Sequence, residues 1–258
     1  MGRIIAIANQ KGGVGKTTTA INLAAALSAT RRSVLLVDMD AQGNATMGVG
    51  VDKSALSQTG CDVLLGEIEA TAAILNLEAH QFALLPGNSD LTAAEVGLRG
   101  KRNGELALRN ALAPLRERYA FILIDCPPAL SMLTVNALAA CDGVLIPMQC
   151  EYYALEGLSA LIDTVDKVRA VINPHLRIEG ILRTMYDPRN NLSGQVSAQL
   201  TSHFGDQVYR TIIPRNVRLA EAPSHGLPAL SYDPMSSGSE AYVALAGELL
   251  RRAERRAA

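Results

Sequence analysis

The sequence predicts a doubly wound α/β domain with a mostly parallel sheet. Short apolar, β-branched runs alternate along the chain with helical patterns rich in Ala and Leu, as βαβ units require. A glycine-rich loop sits between the first such run, at 4–8, and the first helical pattern, at 18–27. Two later runs, 33–38 and 121–125, end in aspartate. In an open parallel sheet the carboxyl ends of the strands line the ligand crevice, so carboxylates there are candidate site residues.

Length and composition set the bounds. A chain of 258 residues, 48% hydrophobic, suits one substantial domain over 1–258. No apolar run approaches the roughly 18 to 20 residues of a membrane span, and the chain opens on a strand pattern instead of a signal peptide, so a cytoplasmic location is expected. Cys61, Cys126, Cys141 and Cys150 lack C-x-x-C spacing, which leaves them as small buried hydrophobes. The net charge of -1 hides a gradient: residues 1–166 carry 12 Lys/Arg against 17 Asp/Glu, and residues 167–258 carry 12 against 8. The C-terminal third is thus compatible with a face for an anionic polymer, and equally with ordinary solvation.

The loop at 8–19 reads A-N-Q-K-G-G-V-G-K-T-T-T. Gly12, Gly13 and Gly15 let backbone N–H groups close on an anion, with the dipole of the following helix adding positive charge. Lys16 would reach the β- and γ-phosphates of a nucleotide, and Thr17 would offer a hydroxyl to Mg²⁺. Val14 and Thr18 belong to the same expected nucleotide-binding set. Gln10 stands where the phosphate-loop pattern has its first glycine, and Lys11 is an unusual second lysine. This K-G-G-V-G-K-T run resembles the deviant Walker A motif of the ParA/MinD group of P-loop ATPases. The resemblance implies ATP and ADP as ligands, with Lys11 crossing a dimer interface to the partner's nucleotide.

The run 33–38 ends in Asp38 and leads into D-M-D-A-Q-G-N, which resembles the group's switch I, with Ala41 where proline is usual. The resemblance makes Asp40 the residue that activates water and places Asp38 on the Mg²⁺ shell; otherwise Asp38 caps a turn. Residues 45–81 support only helices and loops. A strand is expected at 82–86, and leucines 106, 108, 112 and 115 fit an amphipathic helix over 104–118. The stretch F-I-L-I-D-C-P-P at 121–128 looks like a Walker B strand running into switch II, with Asp125 reaching Mg²⁺ through water or Thr17. Further strands are expected at 143–147, 177–185 and 209–213, with helices at 153–171, at 193–203 behind a Ser193 cap, and at 239–258.

The polar stretch 214–226, P-R-N-V-R-L-A-E-A-P-S-H-G, reads as a long loop and closely resembles a stretch of chromosomal ParA/Soj proteins. By that resemblance Pro214 and Asn216 meet the adenine, Met185 joins them in the cofactor site, and Arg189, Arg215 and Arg218 contact DNA phosphates. Each arginine reads equally well as a solvated surface charge. The resemblance spans nearly the whole chain. It implies catalytic roles for Lys11, Lys16 and Asp40, an ATP-dependent homodimer, non-specific binding to double-stranded DNA in the nucleoid, and a ParB-type partner that stimulates hydrolysis. A MinD-like membrane-associated ATPase is the alternative, but the tail R-R-A-E-R-R-A-A offers only alanines as an apolar side. An iron–sulfur reductase using Cys126 and a purely structural DNA-binding protein are more distant alternatives.

Overall fold

The protein, a computed structural model, is described over residues 2–257, apart from the side chain at 257; the expected last helical residue, Ala258, and Met1 lie outside the described residues. Eight strands form one sheet: β1 (Arg3–Ile7), β2 (Val34–Asp38), β3 (Leu75–Leu77), β4 (Phe82–Leu85), β5 (Phe121–Asp125), β6 (Gly143–Gln149), β7 (Arg177–Tyr186) and β8 (Val208–Pro214). Their spatial order is β3-β4-β2-β5-β1-β6-β7-β8. Every neighbouring pair is parallel except β3 with β4. The chain winds outward from β1 to one side, returns with β5, and then builds the other side. The loops after β1, β2 and β5 consequently open at the same end of adjacent strands.

Strand burial follows from this layering. Along β1, Ile4 and Ala6 join one core cluster, while Ile5 and Ile7 join the other. A period of two with both faces covered explains why the strands read as continuous apolar runs. On one face lie α1 (Lys16–Ala29) and, at the other end of the chain, a helix over Ser237–Ala257. The alanines of α1 let its backbone approach the sheet closely, with Leu23 and Leu27 fully buried. The short α2 (Asn44–Gly48) adds Ala45 to the same cluster. The opposite face is covered by α3 (Gly60–Leu65), α4 (Ala70–Ala73), α5 (Leu91–Arg99), α6 (Ala107–Leu112), α7 (Met132–Ala140), α8 (Ala154–Val171) and α9 (Asn191–Phe204).

Four expectations are corrected. The region 45–81 contains a strand, β3, whose three residues are too few to show a period; a turn in which Gln81 donates its N–H to Leu77 O at 2.8 Å brings it back onto β4. The helix expected over 104–118 is split into α6 flanked by 3-10 turns at Gly104–Leu106 and Ala113–Glu117. Pro114 removes a donor there, which breaks the α-helical ladder. The cap of α9 is Asn190, whose side chain accepts from the N–H of Leu192 at 3.0 Å and of Ser193 at 3.4 Å. Ser193 instead donates its hydroxyl to Cys150 O at 3.2 Å.

The fourth correction concerns 214–226, which is not a loop. Asn216 caps a short helix, α10 (Val217–Glu221), by accepting from the N–H of Arg218 at 2.9 Å and of Leu219 at 3.3 Å. A 3-10 turn, Ala222–His225, follows and ends at Gly226 with φ 66°. A Cβ at Gly226 would lie 2.6 Å from Gly50 Cα, so only glycine fits this contact. Then come α11 (Ala229–Tyr232) and α12 (Ser237–Ala257).

Candidate nucleotide-binding site

The glycine-rich loop connects β1 to α1 and is shaped by three strands. Asn9 donates its side-chain amide to Pro147 O at 2.8 Å and accepts the Lys11 N–H at 2.9 Å. Thr184, on β7, donates its hydroxyl to Val14 O at 2.7 Å. Gly13 at φ 72° and Gly15 at φ 86° take the left-handed conformation that lets the loop close at the start of α1. The helix opens without an acidic residue in its first turn, so its N-terminal partial charge is not neutralised locally.

Lys16 is 7% exposed, and its ammonium donates to Lys11 O at 3.2 Å, back across the loop. Burial lowers its pKa, with the Asp125 carboxylate as the main opposing influence. A desolvated cation with one weak partner is suited to receiving an anion. Lys11 behaves differently: it is partly exposed on the rim and pairs with Glu151, just beyond β6, at 2.5 Å.

Asp38 and Asp125 are register partners at the ends of β2 and β5, and both are fully buried. Asp38 accepts the Thr46 N–H at 2.8 Å, the Thr46 hydroxyl at 2.7 Å and the Asp40 N–H at 3.2 Å. These are the contacts of a residue that closes a turn. Asp40 O accepts the Gly43 N–H at 2.8 Å, so backbone contacts hold the segment in which alanine stands at 41. Asp40 itself is 8% exposed and accepts the Gln42 N–H at 3.0 Å.

Asp125 is the exception among the buried carboxylates. Neither of its oxygens has a hydrogen-bond partner in suitable geometry, although the Thr17 hydroxyl stands close by. Burial and then the neighbouring Asp38 carboxylate push its pKa well above the ordinary carboxylate range, with the Thr17 hydroxyl and the Lys16 ammonium pulling the other way. Burial likewise raises Asp38 from 3.8 to about 6. Two buried carboxylates with an orphaned pair of oxygens, beside a threonine hydroxyl, fit a divalent cation. Among the described residues no group of three or more His, Cys, Asp or Glu could hold a metal. An ion such as Mg²⁺ keeps waters and takes one or two protein carboxylates together with phosphates.

A cavity of about 170 Å³ adjoins the loop, lined by Thr18, Met185, Pro214, Asn216 and Tyr242 among others. Met185 holds φ 48°, rare for a non-glycine residue, and its sulfur accepts from the Gln149 amide at 2.7 Å. Thr184, Gln149 and Tyr242 belong to no motif, so nothing in the sequence marks them as neighbours of the loop and cavity. The Asn216 amide is committed to capping α10 and to donating to Ser237 at 2.9 Å, so it lines the cavity as a held group. The three arginines do not form one cluster of free charges. Arg189 grips Asp187 through two bonds of 2.9 and 2.8 Å, which pull that carboxyl down to about 2. Arg218 pairs with Glu221 at 2.8 Å and Asp233 at 3.2 Å, while Arg215 is exposed with no ion pair among the described residues.

This geometry is matched by known proteins. A family profile described as an AAA domain matches residues 2–178, which include the loop, Asp38, Asp40 and Asp125. The chromosome partitioning protein ParA of Myxococcus xanthus is 52% identical over 252 residues, covering 98% of this chain and 89% of that one. The chain belongs to the ParA/Soj family of chromosome-partitioning ATPases. The sporulation initiation inhibitor protein Soj of Bacillus subtilis is 50% identical over 249 residues, covering 96% and 98% of the two chains. Among solved structures, the cobyrinic acid a,c-diamide synthase of Mycobacterium smegmatis with a bound ATP analogue and magnesium superposes with a TM-score of 0.87. Its identity is 37%, over 98% of this chain and 96% of that one. The P-loop fold expected for a ParA/Soj chain is thereby established.

The carboxylate pair gives this ParA/Soj chain a pH signature in the absence of metal. The folded-state pKa of Asp38 lies above its unfolded value, so its neutral form is stabilised by folding, fully so below pH 3.8, and this contribution is lost as pH rises through about 6. Asp125, raised in the same direction by burial and by Asp38, adds to the effect. Thermal unfolding without nucleotide and Mg²⁺ is therefore expected to show Asp125→Asn stabilising the chain at pH 8, with the gain vanishing near pH 4. An equal effect at both pH values contradicts the assignment.

Proposed function

We propose that the chain is one ATPase domain over 1–258 that binds ATP with Mg²⁺ and, in that state, pairs face to face with a second copy and holds duplex DNA. Hydrolysis to ADP then releases the pair. The single observation that carries the reading is the orphaned Asp125 carboxylate at the base of a lysine- and glycine-lined loop. Mg²⁺, when bound with the nucleotide, would neutralise phosphate charge. Thr17 and Asp125 are the residues placed to hold it, with Asp38 fixing the turn beside them. Lys16 would bind the β- and γ-phosphates, the N–H groups of Gly12, Gly13, Val14 and Gly15 would orient them, and Thr18, Met185, Pro214 and Asn216 would flank the adenine. Asp40 would orient the attacking water.

Lys11 faces outward on the rim, so we assign it to the partner's γ-phosphate. ATP then bridges two protomers, and ADP, lacking that phosphate, does so less well. Gly12 supports the geometry: a Cβ there meets nothing within 4 Å in one copy. Gly12→Val is therefore expected to fold and to bind ATP within about threefold of the parent, yet to remain monomeric in sedimentation, because two loops meet there. Dimerisation of Gly12→Val with ATP would contradict a face-to-face pair.

Pairing doubles the arginine surface, and two phosphate-binding patches held rigidly together bind a polyanion much more tightly than one. Arg215 is available directly, while Arg189 and Arg218 would exchange their carboxylates for phosphate. A ParB-type partner that stimulates hydrolysis is assigned on family membership, as is a place on the nucleoid. No helix among the described residues is long and apolar enough to cross a membrane. The deciding experiment measures binding to random-sequence duplex DNA with ATP, ADP and a non-hydrolysable analogue across salt concentrations. Binding is expected with ATP and the analogue only, falling steeply with salt. Binding supported equally by ADP, or insensitive to salt, would count against the proposal.

A further inference from the structure

Away from the nucleotide site, a groove of about 640 Å³ runs between β8, the last strand of the sheet, and the C-terminal half of α12. Five arginines line it, at positions 210, 251, 252, 255 and 256, against two carboxylates, Asp206 and Glu248. Part of this set is a rigid frame. Arg252 pairs with Glu248 at 2.8 Å and lies 4.0 Å from the centre of the Tyr209 ring. Glu248 accepts the N–H groups of Arg210 and Thr211, each at 2.9 Å, and so occupies donors that an edge strand otherwise presents to solvent. Arg256 is held by the buried Glu179 at 2.5 Å.

The side chains of Arg210, Arg251 and Arg255 remain exposed, and none has an ion pair among the described residues. The guanidinium of Arg251 lies within the groove against the helix backbone, since a Cβ at Gly247 would stand 3.3 Å from its Nη1. The position of the groove is informative. Arg215 stands at the nucleotide rim just past the end of β8, five residues beyond Arg210, a span of about 16 Å at roughly 3.3 Å per residue of extended chain. Meanwhile α12 starts at that rim, where Ser237 meets Asn216, and ends at the groove. Arginines at 215, 210, 251 and 255 thus mark one edge of the sheet.

We propose that this groove is a second contact for the sugar-phosphate backbone of duplex DNA, extending the rim arginines down the edge of the sheet. The inference rests on the DNA-binding reading above. Planar guanidinium forks on a fixed frame suit phosphate oxygens, and in this concave, arginine-lined groove Val243 is the single large apolar side chain among the lining residues, too little for insertion into a bilayer.

The test uses the full chain with ATP and Mg²⁺ and compares it with Arg251→Ala/Arg255→Ala, Arg251→Lys/Arg255→Lys and Arg215→Ala on random-sequence duplex DNA. ATP affinity and ATP-dependent dimerisation are expected to be unchanged in the groove variants. The double alanine variant is expected to lose at least about tenfold in DNA affinity, and its dependence of log K on log salt should be shallower by about 1.8 for each groove engaged. The lysine pair should retain most of that slope. An unchanged salt slope while Arg215→Ala loses affinity would overturn the groove and leave the DNA reading standing. Absence of DNA binding by the parent chain would overturn both. Loss of binding to vesicles containing anionic lipid, with DNA affinity intact, would likewise overturn the groove as a DNA contact.

Discussion

Lys16→Ala is expected to raise the dissociation constant for ATP by about ten- to 150-fold, measured by titration with a fluorescent ATP analogue in Mg²⁺. A hydrogen bond to a charged group is worth roughly 1.5–3 kcal/mol, which converts to that range. The argument depends on the state of the ammonium before nucleotide arrives. Lys16 is buried, its pKa is lowered by that burial, and its one hydrogen bond is to the Lys11 carbonyl at 3.2 Å. Moving from that carbonyl to a phosphate replaces a long neutral acceptor with a charged one. The loop backbone does not depend on the side chain: Gly13 and Gly15 hold their positive φ, and Thr184 still bonds Val14 O. The variant is thus expected to fold normally and to melt within about 1 kcal/mol of the parent. ATP affinity equal to the parent's would remove Lys16 from the site.

Asp40→Ala is expected to leave ATP affinity within a few-fold of the parent while lowering turnover by at least about 100-fold, the lower end of what a positioned acid or base contributes. With ATP, the variant should accumulate as a dimer on DNA, read by sedimentation and by filter binding. The surrounding turn should survive because backbone groups make it. Asp40 donates its N–H to Asp38 and accepts the Gly43 N–H through its carbonyl, and both bonds persist in alanine. Only the side-chain bond from the Gln42 N–H is lost. A variant that hydrolyses ATP at the parent's rate would exclude Asp40 as the residue that acts on water. A variant that fails to bind ATP would show instead that Asp40 shapes the pocket.

Much of the fold was legible because the signals were local. Apolar runs bounded by turn residues gave seven of the eight strands without help from partners, and the phosphate loop was announced by glycines that suit a tight anion-binding turn. The failures share a cause. Helix α9 could start at Ser193 or Asn190 on propensity alone, and the Cys150 carbonyl, distant in sequence, draws the Ser193 hydroxyl away. Strand β3 exists because β4 offers it an edge, and three residues cannot declare a period. The 214–226 stretch looked irregular because its helix is one short piece between two prolines, stabilised by the Asn216 side chain.

For the candidate site, the sequence by itself marked the residue types expected to meet a nucleotide: the two lysines, the glycines and Thr17 within one short loop that the chain enforces directly, and the aspartates at the ends of two later strands. Tertiary structure alone decided how their charges are balanced. Parallel pairing of β2 with β5 buries Asp38 opposite Asp125, and Thr46 then satisfies one carboxylate and leaves the other bare. It also decided which arginines are free, since Asp187 and Glu221 already hold two of them and the open ones line the edge beside α12. The physical reason is that desolvation and Coulomb interactions depend on neighbours in space, at separations of a few ångströms between residues that can be a hundred apart in the chain.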